Sequence, residues 1–132
     1  MRYCWPVTGG AWGPRSYTRV NFANLEGNDV TKMGPEIFGV PKAVVGMVHV
    51  AALPGAPANE LGVEQIIERA VAEAKLLLNS GFDAIIVENM HDVPYLRRNV
   101  GPETVACMTA IVRAIRAEID KPMGVQVLAG AN

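Results

Sequence analysis

Three apolar runs of strand length recur along the chain with one helix-patterned stretch between each pair, and a run begins about every 40 residues. The first, Ala43-Val-Val-Gly-Met-Val-His-Val50, is nearly continuous and rich in β-branched residues. Such a run suits a strand covered on both faces, as parallel sheets require. The second is Phe82-Asp-Ala-Ile-Ile-Val87, and the third is Met123-Gly-Val-Gln-Val-Leu128. Between the first two, Val63, Ile66, Ile67, Ala70, Val71, Ala74, Leu77 and Leu78 repeat with the period of one helix face. Asn79-Ser80-Gly81 ends that helix, with Gly81 available for a left-handed turn. A second helix opens at Pro102, with Gly101 as N-cap, and buries Val105, Met108, Ile111, Val112, Ile115 and Ile119. Val100 and Val105 have the spacing of a hydrophobic staple around that cap.

The pattern predicts an α/β fold, a parallel βαβαβ unit joined by right-handed crossovers. Two architectures are built from it, an open doubly wound sheet and a TIM (β/α)₈ barrel. A nucleotide-binding sheet would carry a glycine-rich phosphate loop after its first strand. Here that place holds Ala51-Ala-Leu-Pro-Gly-Ala-Pro-Ala-Asn59, whose prolines remove backbone donors. The barrel is therefore favoured. A full barrel takes roughly 250 residues, so 132 residues would supply only its first part, truncated after the third strand. Three parallel strands leave two open edges, so an isolated monomer is expected to be poorly stable, or to form a homo-oligomer that shares strands.

Residues 1–34 read differently, with scattered aromatics, several glycines and no apolar period. They are expected to be a disordered leader, and residues 35–132 the barrel-type domain. Arg2, Arg15 and Arg19 with no acid before Glu26 resemble the composition of a mitochondrial transit peptide. A non-native leader before Met33, in a cytoplasmic protein, is the alternative. The net charge of -1 excludes a general electrostatic case for nucleic acid, and the short apolar runs exclude a membrane span. Cys4 and Cys107 have no zinc or disulfide spacing, and Cys107 reads as inert packing.

Reactive groups of parallel α/β proteins gather at the carboxyl ends of the strands. That rule selects His49, Glu88, Asn89, Asp92, Gln126, Gly130 and Asn132. Glu88 serves as a general base with His49 as its acid partner, or His49, Glu88 and Asp92 together ligate a divalent metal. Arg97-Arg98 would hold a phosphate or carboxylate of the ligand, or form a solvated pair. His91 reads as a loop residue. No cofactor is named by these residues.

The segments Gly46-Met-Val-His-Val-Ala-Ala-Leu-Pro-Gly55, Gly81-Phe-Asp-Ala-Ile-Ile-Val-Glu-Asn89, Asp92-Val-Pro-Tyr95 and Pro102-Glu-Thr-Val-Ala-Cys-Met-Thr109 resemble the BtpA/SgcQ family, in its order and spacing. The resemblance covers residues 36–132 and implies a TIM-barrel-like fold of no established reaction. Carried over, the family's motif positions fall on His49, on Leu53, Pro54 and Gly55, on Val87, Glu88 and Asn89, and on Asp92 and Pro94, whereas Val125–Asn132 departs from the family's usual pattern. Together with the strand-end rule, His49, Glu88 and Asp92 are expected to be catalytic, and Asn89, Pro54, Gly55 and Gln126 to contact the ligand. Ala51 and Met90-His91 depart from the family's usual glycine and Phe-Gly. Two functions stay open. One is an enzyme-like binder of a small phosphorylated or carboxylate molecule, inactive as a truncated chain. The other is a non-catalytic assembly or stability factor, like the photosystem I biogenesis role of photosynthetic relatives.

Overall fold

A computed structural model describes residues 33–130. Its elements are α1 (Met33–Phe38), β1 (Val45–His49), α2 (Val63–Asn79), β2 (Ala84–Glu88), α3 (Pro102–Glu118) and β3 (Met123–Gln126). The expected leader, with Cys4 and the three arginines, and Asn132 lie outside the described residues, apart from Met33 and Gly34, which open α1. The strands form one parallel sheet in the order β1-β2-β3. Strand order does not reverse among the described residues, so they contain no crevice of the kind that binds ligands in doubly wound sheets.

Strand side chains alternate between faces, and here the two faces differ sharply. Gly46, Val48, Ile85 and Val87 point toward the helices. Val48, Ile85 and Val87 form the core there with Ile66, Ala70 and Ala74 of α2 and Met108, Ile111 and Ile115 of α3. Gly46 has a packing reason to lack a side chain, since a Cβ there would lie 3.1 Å from both Leu77 and Phe82. Among the described residues, the opposite face meets neither α2 nor α3, and only α1 borders it, at the amino ends of the strands. It presents Met47, Ile86 and Gly124 in mid-strand, with Val45 37% exposed at the edge. Near the amino ends of the strands, Ile37 and Phe38 of α1 border a hollow with Val45, Ala84 and Ile86.

The helix ends follow their local chemistry. Gly62 caps α2, and its N–H donates to Gln65 Oε1 at 3.2 Å, satisfying one of the orphan groups of the first turn. Gly81, at φ 98°, turns the chain out of α2 as the sequence suggests. Gly101 caps α3 in extended conformation ahead of Pro102.

Two expectations need correction. Val105 was assigned to the buried stripe of α3 and to a staple, yet it is 56% exposed. The core face of α3 is turned to Thr104, Cys107, Met108, Ile111 and Ile115, because α2 meets the helix from that side. The second strand also runs one residue further than its apolar run, so Glu88 ends β2 rather than following it. The six-residue α1 has too few turns to leave a period in the sequence and was not anticipated.

Candidate functional site

The last residues of the three strands sit side by side. Register pairs His49 with Glu88, and Glu88 with Gln126. All three belong to the face turned away from α2 and α3, directly above the apolar Met47 and Ile86. Glu88 is buried, with a side chain 10% exposed, and its Oε2 faces His49 Nε2 at 3.7 Å. At that separation the two attract electrostatically without a direct hydrogen bond. The imidazole remains 43% open to solvent, so a ligand can reach it. A carboxylate in this position costs free energy to bury, and among the described residues the side chain that pairs with it is His49, as a cation when protonated. The arrangement can exchange a proton between a base and an acid that touch the same open space.

Asn89 and Asp92 do something different. Alternation directs Asn89 to the helix-covered side, where it is 1% exposed. Its Nδ2 donates to Asp92 Oδ2 at 3.0 Å, and its Oδ1 accepts the Leu128 N–H at 2.8 Å. Asp92 Oδ1 accepts the Leu53 N–H at 2.7 Å. One buried Asn–Asp pair thus ties together the loops that follow all three strands. The β2–α3 loop is further joined to the loop after β3 by hydrogen bonds from Arg98 N–H to Ala129 O and from Ala129 N–H to Leu96 O. Asp92 has a neighbour on each oxygen, and among the described residues no three His, Cys, Asp or Glu side chains are grouped to hold a metal. The expected metal set of His49, Glu88 and Asp92 is therefore not assembled.

The remaining expected residues divide. Gly55, at φ 101°, lies in the loop after β1 and lines a cleft of about 250 Å³ with Asn89 and Asp92; Pro54 precedes it in the same turn. Gln126 is exposed beside Glu88. His91, Arg97 and Arg98 are exposed on the second loop and do not line the cleft. Cys107 is buried under it. Burial, reinforced by the Asp92 and Glu103 carboxylates, pushes its thiol up from the usual range, so it stays protonated and weakly nucleophilic. Thr104 and Glu103, at the start of α3, were not anticipated as cleft residues. Thr104 stands four residues before Met108, and that helical spacing was the available signal.

The described residues contain no helix long and apolar enough to cross a membrane. No solved structure matches the chain. Among curated proteins it is similar to an uncharacterised mitochondrial protein of Caenorhabditis elegans, 42% identical over an alignment of 94 residues that covers 67% of this chain and 34% of the relative. It is 40% identical to the sgc region protein SgcQ of Escherichia coli over 95 residues, covering 70% of this chain and 35% of that protein. An uncharacterised protein of Pyrococcus horikoshii is 39% identical over 87 residues, 66% of this chain and 33% of its own length. The chain spans about a third of the length of the curated relatives it matches. With four motifs in one order, a parallel βαβαβ unit and a family profile that matches residues 40–132, the chain belongs to the BtpA family.

Proposed function

We propose that this chain contributes consecutive strands to a TIM-type barrel that binds a small phosphorylated or carboxylate molecule at the carboxyl ends of its strands. The observation that carries this reading is the His49–Glu88 pair at 3.7 Å, set on the face away from the helices, which is the interior of a closed barrel. Glu88 acts as the base and His49 as the acid partner, with Gln126 as a polar contact to the ligand. Asn89, Asp92 and the Pro54-Gly55 turn are positioning residues that hold the loops around them.

Full-length SgcQ tests the reading. Thermal-shift screening against phosphorylated and carboxylate metabolites should find a stabilising ligand. Substitutions at the positions matching His49→Ala and Glu88→Gln should weaken it about tenfold or more, with little change in the melting temperature of the free protein. Wild-type affinity in both variants would reject the pair.

The open sheet face, with Met47 and Ile86 in mid-strand and Val45 37% exposed, favours a second reading as a non-catalytic assembly factor. In that case the screen yields no ligand and the protein co-purifies with a stoichiometric partner. The worm relative's mitochondrial name supports the same location for this chain. A reporter fused to residues 1–32 should then enter mitochondria, and a diffuse cytosolic signal would exclude it.

A further inference from the structure

After a thiolate, a methionine sulfur is the side-chain group that a peroxide oxidises most readily, so the placement of each methionine decides what such an oxidant can reach. Met108 is buried in the core and Met123 packs partly buried against it. Met47 is partly buried on the open side of the sheet. Met90 differs. It is 39% exposed and lies two residues past the end of β2, directly after Asn89. Cys107 offers little competition, because its thiol is buried and held protonated. The sulfur of Met90 also has a polar neighbour. The Tyr95 hydroxyl, exposed as well, donates to Met90 O at 2.8 Å, and its oxygen stands 3.5 Å from Met90 Sδ. The two residues thus clip the loop across residues 90–95, with Asp92 between them.

A thioether is a weak acceptor, whereas a phenol both donates and accepts. The Tyr95 hydroxyl is therefore poorly matched to the sulfur as it stands, and well matched to an oxygen arriving on it. We infer that Met90 is an oxidation site for hydrogen peroxide, with Tyr95 as its proton relay. A lone pair of Sδ forms the S–O bond to one peroxide oxygen as the O–O bond breaks. The departing oxygen takes the Tyr95 hydroxyl proton and leaves as water, and the phenolate recovers a proton from the oxygen now on sulfur. Sulfur loses two electrons, the peroxide gains them, and the products are a sulfoxide and water. The new oxygen is a strong acceptor beside the Tyr95 hydroxyl, so oxidation re-bonds the loop that carries Asp92. The chemistry needs no ligand at His49 and Glu88.

A timed pulse of hydrogen peroxide on the 132-residue chain, quenched with catalase and mapped by peptide mass spectrometry, gives a rate for each methionine. Met90 should gain one oxygen about tenfold faster than Met47, Met108 and Met123. Tyr95→Phe should slow Met90 about fivefold with hydrogen peroxide and leave its rate with periodate unchanged. Periodate hands over an oxygen and departs as iodate, so it needs no proton. The site is rejected if Met90 oxidises no faster than the other three, or if Tyr95→Phe keeps the wild-type rate with hydrogen peroxide. Equal slowing with both oxidants would also reject the relay, by showing that Tyr95 acts only on the exposure of the sulfur.

Discussion

Replacing Asn89 with alanine is expected to destabilise the chain by about 3 kcal/mol, although the change is made in a loop. The side chain is 1% exposed and holds two partners at once, Asp92 Oδ2 and the Leu128 N–H. Alanine leaves a carboxylate oxygen short of a donor and a partly buried N–H without an acceptor. Bonds to charged groups are worth roughly 1.5–3 kcal/mol, and an abandoned partner adds its own desolvation cost. Asp92→Ala breaks the bond to Asn89 and the one to Leu53. The double variant should therefore cost much less than the sum of the singles, which is the sign of a shared network. Urea unfolding of the four chains checks this. Full additivity, or a loss below about 1 kcal/mol for Asn89→Ala, would mean that the loops are held by something else.

Neighbouring isoleucines of β2 should respond very differently to truncation. Ile85 is fully buried in the core formed with α2 and α3, whereas Ile86 faces the open side of the sheet and is partly exposed. Ile85→Ala removes buried methylenes and leaves a cavity between sheet and helices, at a cost of about 3–4 kcal/mol. Ile86→Ala should cost about 1 kcal/mol or less in this chain, since solvent already reaches the site. Losses of the first size approach the whole stability of a small domain. The urea midpoints of the two variants measure the contrast, and equal losses would show that both faces of the sheet are covered in solution.

The strands and long helices were legible because burial imposes a period, and the period survives in Ala43–Val50, Val63–Leu78 and Met123–Leu128. What a period does not fix is the rotation of the stripe. Val105 fits the spacing of α3 as well as Thr104 does, and only the direction of α2 decides that Thr104 is buried and Val105 exposed. The alignment of His49 with Glu88 was accessible for a similar reason. Both end apolar runs in adjacent parallel strands, so register brings them together. The Asn89–Asp92 tie was not accessible. Its partners are backbone N–H groups 39 residues away in each direction, which every non-proline residue carries alike. The strand-end rule marks Asn89 and Asp92 as candidates, but their bonding belongs to loops whose paths no local pattern encodes. The metal set fails on the same point, because sequence distance could not show that Asp92 turns toward Leu53 and Asn89.

A crystal structure of full-length SgcQ with a ligand recovered by the thermal-shift screen would locate its chemistry directly. Ligand atoms within hydrogen-bonding distance of the side chains matching both His49 and Glu88, inside a closed ring of strands, are the expected result. A ligand seated at the amino ends of the strands, or on the outer helices away from both side chains, would contradict it.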